Sequence, residues 1–121
     1  LSHDLYDRGG KPINGETFER LMKDPTYFML ADDRVVLPGQ DRPIRIATKW
    51  IGLLKTITDP LFVCYIYGDP ETDGVEEICS DYEDEALSVH AAAVKRYEDI
   101  AAVRRAYLDN GGPETLIGGA L

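Results

Sequence analysis

Nine carboxylates, Asp69, Glu71, Asp73, Glu76, Glu77, Asp81, Glu83, Asp84 and Glu85, follow one another with no Lys or Arg between them. They equal the whole formal net charge of -9, because the other 13 acidic residues are matched by 13 basic ones. Carboxylates at that density can hold a cation or dock a basic surface, and they repel the phosphates of a duplex. Asp69, Glu71, Asp73 and Gly74 repeat the first half of a calcium loop, in which alternating oxygen ligands and a tight glycine turn enclose a hard cation. The place of the closing bidentate Glu is taken by Ser80, and the flanks have the pattern of strands, so the segment reads as a polar hairpin turn.

His90 is the other residue with catalytic chemistry, and an enzyme reading rests on it alone. A general base needs a nucleophile and an orienting acid within hydrogen-bond reach, and no Ser-His-Asp or Cys-His spacing supplies them. It reads as a core histidine bonded to a backbone carbonyl or a Tyr hydroxyl. Cys64, Cys79 and His90 lack the spacing of a zinc site, and two cysteines this far apart read as reduced core thiols. Tyr65, Tyr67 and Trp50 have the chemistry of a base-stacking platform, but Arg42, Arg45 and Lys49 are too few to offset the acidic run, so the aromatics are assigned to the core.

These residues define an expectation: a non-catalytic interaction protein that binds a basic protein partner through Asp69, Glu71, Asp73, Glu76, Glu77, Asp81, Glu83 and Asp84. In its sharper form, closely spaced carboxylates imitate a nucleic-acid backbone and occupy a basic groove. No catalytic residue, cofactor or metal and no direct nucleic-acid contact are expected. The longest uncharged stretch, Pro60 to Gly68, falls far short of the roughly 20 apolar residues that span a bilayer, so no membrane is involved and a cytoplasmic location is expected.

The elements that must position these groups follow from the pattern. Gly9-Gly10 has the form of a two-residue hairpin turn. Asn14 caps a helix over Gly15 to Lys23 that turns Phe18, Leu21 and Met22 to the core, and Asp24-Pro25 stops it. Tyr27 to Val36 reads as a first strand or an irregular hairpin. Ile44, Ile46, Thr48 and Trp50 alternate with Arg45, Ala47 and Lys49, as in a strand with one buried and one wet face. A turn over Lys55 to Pro60 leads to a central strand, Leu61 to Tyr67, and then to a strand over Val75 to Tyr82. A turn centred near Glu71 and Thr72 would set Cys64 opposite Cys79. Caps at Asp81 to Asp84 open a long helix, with acidic residues in the first turn, that Asn110-Gly111-Gly112-Pro113 ends.

On that helix Leu87, His90, Ala91, Val94, Tyr97 and Ala101 form one stripe, and Ile100, Val103 and Tyr107 lie on a rotated face. Either the helix breaks near Asp99 or, as favoured here, its second half packs on a second copy or on the N-terminal segment, and contact through the rotated trio makes a homodimer or other structural assembly the alternative function. The fold class is α+β: one domain over 1–121, with a small antiparallel meander of three or four strands, a short N-terminal helix and a long C-terminal helix packed on one face. Residues 1–4 and 113–121 are expected to be flexible.

Leu5-Tyr6-Asp7-Arg8 with Gly10 and Pro12-Ile13, Trp50-Ile51-Gly52-Leu53, Pro60-Leu61-Phe62, and Glu85-Ala86-Leu87 with His90 and Val94 together resemble a group of small uncharacterised actinobacterial and phage proteins. The likeness spans about residues 5 to 97. It implies the same small sheet followed by a helix and a phage or mobile-element context, in a bacterial or infected host cell. No activity comes with it.

Overall fold

The computed structural model describes residues 4–56, 58–72 and 74–112. The flexible ends expected at 1–4 and 113–121 fall outside these apart from Asp4, and so does Asp73. The chain is α+β, as its pattern predicts. In order it runs β1 (Asp4–Leu5), α1 (Gly15–Met22), α2 (Pro25–Phe28), β2 (Met29–Val35), β3 (Ile44–Trp50), β4 (Leu53–Leu54), β5 (Phe62–Tyr67), β6 (Glu76–Ser80) and α3 (Glu83–Asp109). Strands β2-β3-β5-β6 form a four-stranded antiparallel sheet, and β1 pairs with β4 in a separate two-stranded one. Alternation carries no trace of that second sheet, because a two-residue strand has no period to read.

One face of the main sheet is made by Ile44, Ile46, Thr48 and Trp50 of β3 and Phe62, Cys64 and Ile66 of β5, all at most 1 % exposed. Helix α3 crosses this face. Its buried residues are Ala86, His90, Ala93 and Tyr97, flanked by the half-buried Val89, Val94, Ile100 and Ala101. The small side chains of Ala86 and Ala93 let the helix approach the sheet closely, and Tyr97 fills the wider space beyond. Two expectations change here. Leu87 is 40 % exposed and Ala91 is exposed, so they lie outside the buried stripe, and Ile100 packs on the core instead of belonging to a separate outward face. The helix is one continuous element whose buried arc is wide enough to take Ile100 in.

At the other end of the same face Trp50 is the hub. Phe18 and Tyr27 pack on its ring at centroid distances of 5.5 and 5.1 Å, and its indole N–H donates to the Tyr6 carbonyl at 2.9 Å. Leu61, Phe62 and Ala86 complete this second cluster. Gly52 stands so close, at φ 72°, that a Cβ there would lie 2.3 Å from the Trp50 ring. The stretches carrying the family resemblance therefore meet mostly around Trp50, as packing and turn residues. Met22, expected in the core, is 41 % exposed, because Phe18 and Leu21 already cover the available surface.

Two turns differ from the sequence reading. Asp7 N–H donates to the Lys11 carbonyl and Tyr6 bridges Pro12, so Arg8-Gly9-Gly10 is a three-residue loop with Gly10 at φ 81°, in place of a two-residue turn. The β5–β6 register sets Cys64 against Ile78 and Val63 against Cys79. That single-residue slip puts the two cysteines on opposite faces, with Cys64 buried and Cys79 exposed.

Candidate functional site

The acidic run divides by the pleat of β6. Glu76 shares the helix side of the sheet with Ile78 and Ser80, and the Arg96 guanidinium donates to it at 2.9 Å. Glu77 points to the other side, opposite Tyr65. Asp69 is engaged twice: one oxygen accepts from the Glu71 N–H at 2.9 Å, and the other accepts from the buried Tyr97 hydroxyl at 2.5 Å. Burial, and next the Asp69 carboxylate, push the Tyr97 phenol up to about 12, and the Glu76 carboxylate raises Arg96 further above its usual value. Tyr97 therefore stays protonated and pins the tip of the β5–β6 hairpin to α3. Asp69 acts as a turn and anchoring residue, the role its place in an Asp-Pro turn implies.

Helix α3 begins at Tyr82 without a side-chain cap, a correction to the caps expected at Asp81 to Asp84; instead Glu85 accepts from the Asp81 N–H at 3.2 Å. Glu83 in its first turn receives both forks of Arg8, at 2.8 and 2.7 Å. Arg8 is fixed from the other side, since its N–H donates to the Tyr27 hydroxyl and its guanidinium to the Tyr27 carbonyl. That bidentate contact holds the Glu83 carboxyl below its ordinary range. The nine carboxylates therefore do not form one continuous free rim. Glu76 and Glu83 are neutralised by arginines, Asp69 is tied to Tyr97, and Glu77 faces away.

Of the carboxylates left without a cationic partner among the described residues, Glu71 lies in the β5–β6 hairpin and Glu77 on the other side of the sheet, whereas Asp81 and Asp84 lie beside Arg8. Asp81, Tyr82, Glu83 and Asp84 line a groove of about 460 Å³ against the Arg8-Gly9-Gly10 loop, with Leu61 at its floor. Tyr82 is 70 % exposed. Among the described residues neither Asp81 nor Asp84 has a cationic partner. Arg8 and Tyr82 were not marked by the sequence, because the first is brought to the site across 75 residues of chain and the second reads as a strand residue.

His90 takes neither of its expected partners. Its Nδ1 lies 2.7 Å from the Thr48 hydroxyl and its Nε2 lies 2.7 Å from Asp33. Both ring nitrogens are thereby partnered. Behind Thr48, burial pushes the Cys64 thiol up. The order hydroxyl, imidazole, carboxylate is that of a hydrolytic triad, but the geometry is inverted: Thr48 is 0 % exposed whereas the Asp33 side chain is 55 % exposed. A substrate cannot reach the hydroxyl, so the chain of bonds fastens α3 to β2 and β3. The signal for it lay in two buried-register polar residues, Thr48 and His90, each needing a partner.

Among the described residues no helix packs on the opposite face of the sheet. Asp32 and Arg34 of β2, Arg45, Ala47 and Lys49 of β3, Val63, Tyr65 and Tyr67 of β5, and Glu77 and Cys79 of β6 occupy it by register. Tyr65 and Tyr67 thus leave the core, where the sequence reading put them, and lie half-buried on this open face; Trp50 alone of the three aromatics is interior. Of the rotated trio on α3, Val103 is 70 % exposed and Tyr107 is half-buried.

Among the described residues no group of three or more His, Cys, Asp or Glu side chains is placed to hold a metal ion, and no helix is long and apolar enough to cross a membrane. No family model, no curated protein and no solved structure matches this chain.

Proposed function

We propose that this chain is a small non-catalytic interaction module that docks a basic segment of a partner protein in the groove at the entry of α3. The observation that carries this reading is the convergence of Asp81 and Asp84, both without a cationic partner among the described residues, on a groove whose rim is the exposed ring of Tyr82. An arginine or lysine side chain can lay its stem along Tyr82 and place its charge between the two carboxylates. Arg8, which would repel such a cation, is already neutralised by Glu83 at 2.7 Å. The pairing of Glu76 and the outward turn of Glu77 break the even carboxylate spacing that imitation of a nucleic-acid backbone needs, so a short basic segment fits better than a duplex-binding groove.

Calorimetric titration with an Arg- and Lys-rich peptide tests this. Asp81→Asn together with Asp84→Asn is expected to weaken binding about tenfold or more, and Tyr82→Ala several-fold, with affinity falling steeply as salt is added. Binding that survives these substitutions, or that ignores salt, overturns the proposal.

A further inference from the structure

Strand β2 is an edge of the main sheet, since the order β2-β3-β5-β6 leaves its outer side without a strand among the described residues. Asp32, Asp33 and Arg34 are all exposed on it, although Ala47 and Ile46, which face Asp32 and Asp33 from β3, are fully buried. An edge strand so placed presents a row of backbone N–H and C=O groups to any strand that can approach. A bulge between Met29 and Ala31 limits its regular stretch to residues 31–35, which is centred on Asp33. The charges on this edge do not balance within one copy. Register sets Arg34 opposite Arg45, a like-charged pair, and Arg45 donates through Nε and Nη2 to Asp32, at 3.0 and 2.9 Å. Arg34 is left without an ion pair among the described residues.

We infer that β2 is a docking edge for β2 of a second copy, joined antiparallel about a two-fold axis at Asp33 so that each Arg34 meets the partner's Asp32. Pleat and symmetry leave few registers. Directly opposed residues share a face, so a two-fold axis normal to the sheet passes through a residue and never between two. An axis at Asp32 sets that carboxylate against itself and keeps only 31–33 in regular pairing. An axis at Arg34 opposes two guanidinium groups and keeps only 33–35. The axis at Asp33 pairs 31–35 in full and gives two Asp32–Arg34 contacts, with Cβ atoms about 5 Å apart. Asp32 can serve both arginines, because a carboxylate has about four acceptor sites. One like-charged contact remains, Asp33 against the partner's Asp33, and the His90 Nε2 at 2.7 Å draws that carboxylate toward α3. The other edge, β6, has no such match, since its charged residues, Glu76 and Glu77, carry one sign. A strand pair this short buries little surface, so the dimer is expected to be weak and concentration-dependent.

The test is sedimentation velocity over a roughly hundredfold range of protein concentration at low salt. The wild type is expected to pass from monomer to dimer and to go no further. Arg34→Glu and Asp32→Lys should each weaken self-association about tenfold or more, because each places like charges face to face at both contacts. Mixed in equal amounts, the two variants oppose unlike charges at both contacts and should associate to within about threefold of the wild type. Asp33→Asn removes the repulsive contact on the axis and should tighten the dimer several-fold. Thermal melting of each variant separates a lost contact from a lost fold. If Asp32→Lys melts early through loss of its bond to Arg45, Arg34→Glu set beside Arg34→Lys carries the same test, with only the lysine variant keeping the dimer. A chain that stays monomeric throughout, growth past the dimer, or a mixture no better than its components overturns the inference. So does a dimer indifferent to Arg34→Glu, including one that Val103→Asp dissolves instead through the exposed part of α3. Asp81→Asn with Asp84→Asn should leave self-association in place, so failure here and failure of the basic-peptide reading are told apart.

Discussion

Gly52 holds the tightest geometric requirement of any single residue near Trp50. It combines a backbone that L side chains rarely adopt, φ 72°, with a Cβ position 2.3 Å from Trp50 and 3.0 Å from Phe18. Gly52→Ala must therefore displace Trp50 as well as strain the backbone, which together cost about 3 kcal/mol. Urea denaturation should show a midpoint lowered accordingly, and a variant as stable as the wild type would mean that Trp50 is not seated as described. Trp50 itself is plain in the sequence, closing an alternating run in which Ile44, Ile46 and Thr48 precede it. Its partners are not plain, because Tyr6, Phe18, Tyr27 and Leu61 come from four separate segments. The same limit explains the cysteines. Alternation fixes which residues of a strand share a face, whereas pairing across the hairpin depends on the turn, and a single residue there parted Cys64 from Cys79.

Among the elements, α3 tests how far periodicity reaches. Its existence, direction and acidic first turn are legible, and so is the burial of His90 and Tyr97. The angle of its buried face is not, because hydrophobicity gives weight to Leu87 and little to Ala86 and Ala93, and close packing on a sheet favours the small side chains. What fixes that angle chemically is the pair of polar fasteners, His90 to Thr48 and Asp33, and Tyr97 to Asp69 and Arg96. Tyr97→Phe keeps the ring and removes the second fastener, leaving Arg96 with Glu76; the expected cost is about 1 to 2 kcal/mol. A pH signature distinguishes it from simple loss of packing. The phenol is raised from 10.0 to about 12 in the folded chain, so its contribution is complete below pH 10 and is lost as pH rises through 12. Wild-type urea midpoints should fall across that interval and those of Tyr97→Phe should fall less. Parallel curves would show that the hydroxyl bonds are not made.

At the scale of the whole molecule the charge pattern does two things: some carboxylates close the fold and others stay free at its surface. The separation was not legible, since Asp81, Glu83 and Asp84 look alike in sequence, and only the return of the N-terminal loop to α3 selects Glu83 as the partner of Arg8. That ion pair joins the first turn of the chain to the start of its last helix. With side chains 27 % and 36 % exposed, it stabilises by about 1 kcal/mol after screening. Its pH dependence has a definite sign. The Glu83 carboxyl is lowered from its ordinary 4.5 by Arg8, so the contribution is complete above pH 4.5 and is lost as pH falls through the lower folded value. Glu83→Gln should therefore be less stable than the wild type at neutral pH, and the two urea midpoints should converge in acid. Arg8→Gln alone and combined with Glu83→Gln completes a double-mutant cycle, whose coupling energy should shrink with added salt and vanish below the same pH. A gap between wild type and Glu83→Gln that persists unchanged into acid would assign the effect to packing and remove the ion pair as the link between the two ends.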